Sequence, residues 1–142
     1  MKADPNADPG LSVFFELNVD NADLGAFSKC SGLGIEIEND TRTEGSLADF
    51  VHVLTGRFKY TNLSLSRPIC ASTKDVMLWI SQFTLAQSST TASLVALSTD
   101  GQPIMTWELY GVVPVRWSGP EFDAANLQVA TETLELAYQG FL

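Results

Sequence analysis

Residues able to do chemistry are sparse in this chain, and their spacing matches no known reaction site. The single histidine, His52, stands between Val51 and Val53. A zinc site takes three or four ligands, and neither a cysteine pair nor a carboxylate cluster accompanies this imidazole, so it reads as structural. Neither Cys30 nor Cys70 has a motif that would activate a thiol. Two cysteines make no disulfide framework, and both read as small buried hydrophobes of a chain made in a reducing compartment. Glu36 and Glu38 are two apart and share one face of a strand. They could divide acid and base roles only if their environments separated their pKa values. Ile35 and Ile37 take the opposite, core-facing positions, so the two glutamates read as solvated. The sequence has neither a Gly-x-Ser-x-Gly elbow nor a phosphate-binding Gly-Lys-Ser/Thr loop. The expectation is a protein that is not an enzyme, with no catalytic, cofactor or metal site.

What holds these residues is a succession of one-sided strands. From Val129 to Tyr138 the chain alternates: Ala130, Glu132, Leu134, Leu136 and Tyr138 point one way, and Val129, Thr131, Thr133, Glu135 and Ala137 the other. A period of two means a strand with one face on a core. The same patterning predicts strands over Leu11–Val19, Ser31–Glu38, Phe50–Leu54, Gly56–Arg67, Ser93–Thr99, Ile104–Val112 and Val113–Trp117. Leu63 and Leu65 oppose Asn62, Ser64 and Ser66; Trp107 and Leu109 oppose Thr106 and Glu108. Asp100-Gly101 is a tight-turn dipeptide. One helix interrupts the strands: Ser72 or Thr73 can cap it, Asp75 meets its positive end, and Val76, Trp79, Ile80 and Phe83 form its apolar stripe. Ser88 to Thr91 ends it. Eight short strands and one helix predict a mainly β fold, a small antiparallel β-barrel or sandwich with a flanking helix over its open end. Trp79, Trp107 and Leu109 supply its bulk.

Thr41 to Leu54 begins polar and glycine-containing and ends in Phe50-Val51-His52-Val53-Leu54. Composition alone fits either an extended hairpin arm leaving the barrel or a surface loop with one buried strand. The 142 residues suit one domain, residues 11–142, preceded by a flexible arm over residues 1–10. Seventeen acidic against eight basic residues give a net charge of -9, which argues against nucleic-acid or anionic-membrane binding. No segment reaches the ~18 apolar residues of a membrane span, so no membrane anchor is expected. The first residues lack a secretory pattern, and synthesis in the cytoplasm without a signal peptide follows.

Six patterns, in order, carry a resemblance to a known family. They are Asp8-Pro9 before Val13–Val19; Phe27-Ser28-Lys29-Cys30-Ser31-Gly32-Leu33; Arg42-Thr43-Glu44-Gly45; Gly56–Tyr60 with Leu63-Ser64-Leu65-Ser66-Arg67; Pro114-Val115-Arg116-Trp117; and Leu134-Glu135-Leu136-Ala137-Tyr138-Gln139-Gly140. Together they cover nearly the whole chain. This succession resembles the inner-tube proteins of contractile phage tails and phage-derived injection systems, and more distantly the type VI secretion tube. Two positions depart from the family pattern. Pro68 replaces the usual glycine, which a strand end tolerates, and Tyr138-Gln139 replaces a common His-Glu.

The resemblance implies a structural subunit that assembles as stacked hexameric rings into a hollow conduit for DNA or protein cargo. Implied partners are copies of itself, a sheath protein, baseplate or spike and tube-terminator proteins, and passenger DNA or effector protein. Its place would be a phage tail or tail-like particle. It tips the Thr41–Leu54 region towards an arm between subunits, with Arg42, Glu44, Phe50, Val51 and Val53 as contact residues. Six such sheets joined edge to edge would turn Glu36, Glu38, Asn62, Ser64, Thr106 and Glu108 towards the channel. The alternative is a stand-alone small β-barrel binding a ligand or peptide, which would need a roomy pocket; here the inward positions are large.

Overall fold

The structure, a computed structural model, describes residues 14–38, 57–121, 123–125 and 129–142. The expected strand Phe50–Leu54, the arm residues Arg42, Glu44, Phe50, Val51 and Val53, His52 and the first ten residues lie outside these.

The described residues open with β1 (Phe14–Val19) and β2 (Ala22–Phe27). They are joined by Asp20-Asn21, both at positive φ (46° and 65°), as a two-residue hairpin turn matched to strand twist requires. β3 (Lys29–Ser31), β4 (Ile35–Glu38), β5 (Arg57–Tyr60) and β6 (Leu63–Pro68) follow, then helix α1 (Thr73–Ala86). The chain ends with β7 (Thr90–Leu97), β8 (Pro103–Ser118), β9 (Thr131–Ala137) and β10 (Gly140–Phe141). Among the described residues the fold is mainly β with one helix, as expected.

Eight strands form one antiparallel sheet in the order β2-β1-β7-β8-β9-β6-β3, with β10 also on β8. β8 has 16 residues; its first half pairs with β7 and its second with β9. It is a single strand where two were expected. A register shift between Pro114 and Arg116 lets the proline sit within it, since a bulge needs no ladder donor. The sheet curls without closing into a hydrogen-bonded barrel. Its two ends meet where the Ser28 N–H donates to the Ser66 carbonyl (3.0 Å).

Leu17, Val19, Leu24, Phe27, Leu63, Leu65, Leu94, Leu109, Leu134 and Leu136 are wholly buried inside the curl. Each such burial contributes ~1.5–3 kcal/mol of transfer free energy. Val76 and Trp79 of α1 complete this core; Trp107 is half-buried against it. Asp75 lies in the first turn of α1 as expected, but neither proposed cap acts as one. Ser72 holds the N-cap position without a side-chain bond, and the Thr73 hydroxyl is drawn to Glu132. The helix ends at Gln87, in the left-handed conformation, with its N–H on the Phe83 carbonyl (2.6 Å). Asp100-Gly101 turns the chain between β7 and β8, and Pro68 ends β6 opposite Thr131.

Candidate assembly surfaces

Gly56–Arg67 divides into two strands that serve different sheets. β6 enters the core, whereas β5 pairs with β4 as a separate two-stranded ribbon. Its register, Ile35↔Tyr60, Glu36↔Lys59, Ile37↔Phe58 and Glu38↔Arg57, gives it one charged face and one apolar face. Ile35 and Ile37 therefore do not face the core: they are 44 % and 53 % exposed, and Phe58 is 61 % exposed. Alternation correctly separated the two faces, but the core does not reach this ribbon.

The root of the ribbon is firmly fixed. The Tyr138 hydroxyl accepts from the Gly34 N–H (3.2 Å) and donates to the Gly34 carbonyl (3.1 Å). Tyr60, Tyr138 and Phe141 cluster with centroids 5.4–5.7 Å apart, Tyr60 and Phe141 edge on and the other two pairs tilted. The Thr61 hydroxyl donates to the Gly32 carbonyl. Gly32 has φ +90°, and a Cβ there would lie 2.0 Å from the Asn62 carbonyl oxygen, so no other residue fits. The tyrosine that departs from the family pattern is thus a tether.

The outward face of the main sheet carries polar rows between apolar residues such as Phe14, Val95 and Tyr110. Adjacent strands align Glu16, Val95 and Thr106, then Asn18, Ser93 and Glu108. Ser93 Oγ donates to Glu108 Oε1 (3.3 Å). Beyond the middle of β8, Arg116, Glu135 and Ser64 align, followed by Ser118, Thr133 and Ser66. Thr106 and Glu108 thus lie together on this face, with Ser64 farther along it. Glu36 and Glu38 belong to the ribbon, and Asn62 to the turn before β6.

A groove of about 450 Å³ runs between α1 and β8, lined by Met77, Ile80, Phe83, Pro114, Val115, Arg116 and Trp117.

A buried ion pair stitches the two ends of the sheet together. Arg67 continues the inward phase of Leu63 and Leu65, and Glu132 that of Leu134 and Leu136; the register sets them opposite each other. Arg67 Nε donates to Glu132 Oε2 (2.9 Å), with the side chains 3 % and 0 % exposed. Arg67 Nη1 donates to the Leu24 and Ala26 carbonyls of β2 (2.7 and 3.3 Å), and the guanidinium lies 4.0 Å over the Phe27 ring. Trp117 Nε1 donates to Glu132 Oε1 (3.0 Å), and the Thr73 hydroxyl to Oε2. Burial alone would raise the Glu132 carboxyl, but the hydrogen bonds from Thr73, Trp117 and Arg67 and the Arg67 charge outweigh it and hold it below its ordinary value. Gly25, at φ +88°, admits the guanidinium: a Cβ there would be 2.7 Å from Arg67 Nη1. Strand alternation alone missed this pair; its readable signal was opposite charges on the inward phase of two leucine-rich strands.

The cysteines differ from each other. Cys30 is half-buried, and burial pushes its thiol up to about 11. Cys70 is exposed, against expectation, because it lies in the open connection between β6 and α1. Among the described residues no cluster of His, Cys, Asp and Glu could hold a metal. No helix there is long and apolar enough to cross a membrane.

Comparison with known proteins agrees with this arrangement. Among curated proteins no match is found. Similar solved structures include the anti-feeding prophage baseplate (26 % identity, 95 % of each chain, TM-score 0.69). The sheath–tube complex of an extracellular contractile injection system in its extended state is also similar (20 % identity, 97 % of this chain and 93 % of that one, TM-score 0.76). Hcp1 from Salmonella typhimurium is more distant (13 % identity, 90 % and 83 %, TM-score 0.54). The family model for T4-like virus tail tube protein gp19 matches residues 11–142. Its members are structural tube proteins rather than enzymes. The chain belongs to the T4-like virus tail tube protein gp19 family and is a structural tube subunit.

Proposed function

We propose that this subunit closes into hexameric rings that stack into the hollow inner tube of a contractile tail or injection system. One observation carries the reading: polar strips on the outward side of the main sheet and an exposed, half-apolar ribbon that belongs to a separate sheet leave two surfaces free for other molecules. The polar face, with Thr106, Glu108 and Ser64, lines the channel and keeps it wet. Its carboxylates repel an acidic passenger along the wall, which suits passage of DNA or of protein effectors without capture. The ribbon and the arm beyond it, with Arg42, Glu44, Phe50, Val51 and Val53, join subunits. A sheath surrounds the tube, a baseplate or spike sits at one end and a terminator at the other. These partners are suggested by the sheath–tube, baseplate and cap assemblies that contain the similar chains.

Light scattering across a concentration series, with negative-stain microscopy, tests this. Hollow tubes or six-membered rings are expected. A strictly monomeric protein at millimolar concentration overturns the reading in favour of a ligand-binding module.

A further inference from the structure

A small pocket lies where the C-terminal end of α1 meets the turn between β1 and β2. It holds about 150 Å³ and is lined by Trp79, Gln82 and Phe83 of the helix, Ser88 after it, Asp20 of the turn and Thr90 of β7. Its polar groups lack partners within the protein. Among the described residues the Asp20 carboxylate, the Gln82 amide and the Ser88 hydroxyl make no hydrogen bond or ion pair. Being exposed, they bond to water until a ligand displaces it. Thr90 Oγ1 is buried with no partner at all, a state that folded proteins rarely leave uncompensated.

The helix end gives the pocket its sign. The last turn of α1 contains no basic residue, so nothing in it opposes the partial negative charge of the closing carbonyls. Carbonyls and an ionised carboxylate only accept hydrogen bonds. What the pocket lacks is therefore a donor, and a positively charged one. A carboxylate or phosphate would meet Asp20 and the helix end at like sign. Trp79 and Phe83 add an apolar wall, which a bare inorganic cation would leave unused.

We propose that this pocket binds a primary alkylammonium group. The ammonium head donates to Asp20 and the closing carbonyls of α1, and supplies Thr90 with its missing partner; the hydrocarbon stem rests on Trp79 and Phe83. At ~30 Å³ per water molecule of the liquid, the pocket takes about five non-hydrogen atoms. That is the size of n-butylammonium, or of the end of a lysine side chain, so a free amine and a protein lysine share the chemistry. Such binding goes beyond the tube reading and does not depend on it.

The test is a saturation-transfer NMR titration of the full chain with n-butylammonium chloride at constant ionic strength. Saturable binding with a Kd of about 1 mM is expected for so small a ligand. Sodium butyrate and 1-butanol, which keep the stem and change the head, should each bind at least tenfold more weakly. Asp20→Asn should weaken n-butylammonium at least tenfold while keeping the wild-type circular dichroism, because asparagine tolerates the positive φ of 46° at this position. A response that does not saturate, equal binding of 1-butanol or an unchanged affinity in Asp20→Asn overturns the site and leaves a cleft that holds water only. Nα-acetyl-lysine methylamide separates the two sources: binding at least as tight as that of n-butylammonium assigns the pocket to a lysine side chain, and weaker binding assigns it to a free amine.

Discussion

Replacing Arg67 by methionine keeps most of the side chain's length and removes its charge. The variant loses the 2.9 Å ion pair with Glu132 and the two bonds to the β2 carbonyls. Glu132 stays buried, still holding Trp117 and Thr73. Breaking a buried pair from one side leaves an uncompensated charge and costs ~3–5 kcal/mol. For a chain of this size that is roughly 10–15 °C in melting temperature. The dependence on pH is more diagnostic. In the wild type the Glu132 carboxyl lies below its ordinary value. Its contribution is therefore present above the unfolded pKa of about 4.3 and is lost as pH falls through the folded value. Without Arg67, burial is opposed only by the Thr73 and Trp117 hydrogen bonds, so the carboxyl rises relative to the wild type, and the variant's penalty is greatest near neutrality and shrinks as acid protonates Glu132. Urea unfolding of the dissociated subunit at pH 7 and pH 4, followed by tryptophan fluorescence, should show the gap between the two proteins narrowing on acidification. Adding Glu132→Leu should recover most of the loss, because an apolar pair of similar volume commonly replaces a buried ion pair without penalty. A gap below about 1 kcal/mol at pH 7, or one that widens towards pH 4, would refute the assignment of this pair as the fastening of the seam.

Trp79→Ala should destabilise the subunit by ~3–5 kcal/mol through loss of a large buried side chain, whereas Glu36→Gln on the exposed ribbon should leave the melting temperature nearly unchanged; thermal melts ranking them in the opposite order would reverse the core and wet faces. At pH 8, iodoacetamide should modify Cys70 rapidly and Cys30 slowly, since Cys30 is half-buried with its thiol raised to about 11; mass spectrometry finding equal rates would contradict that burial.

The strongly periodic elements were legible in the sequence. Leu63 and Leu65, Leu134 and Leu136, the Val76–Trp79 stripe and the Asp100-Gly101 turn fall where alternation and turn chemistry place them. What was not legible depended on neighbours. β2 is short, contains Gly25 and lacks a run of β-branched residues, so its only local signal was the Asp20-Asn21 turn before it. The division expected between Val112 and Val113 is absent from β8, which runs through Pro114 at a bulge. Ile35 and Ile37 carried the pattern of a buried face, but a period of two distinguishes sides without saying what covers them. Of the expected channel-facing residues, the ladder groups Thr106 with Glu108 and places Ser64 elsewhere on the same face; the sequence could not foresee that Glu36 and Glu38 belong to a different sheet.

β9 lies in the middle of the main sheet, yet residues 131–137 are made after every other strand but β10. β6 and β3 join the ladder of the remaining strands through it alone. While the chain is being synthesised, the edge of β6 that will receive β9 therefore waits unpaired through the making of α1, β7 and β8. Completion of the sheet is a late event with long sequence separation, which slows folding and leaves an edge open to other nascent chains. The subunit is thus most open to mispairing between the making of β6 and that of β9, and the rate at which β9 inserts sets how long that interval lasts.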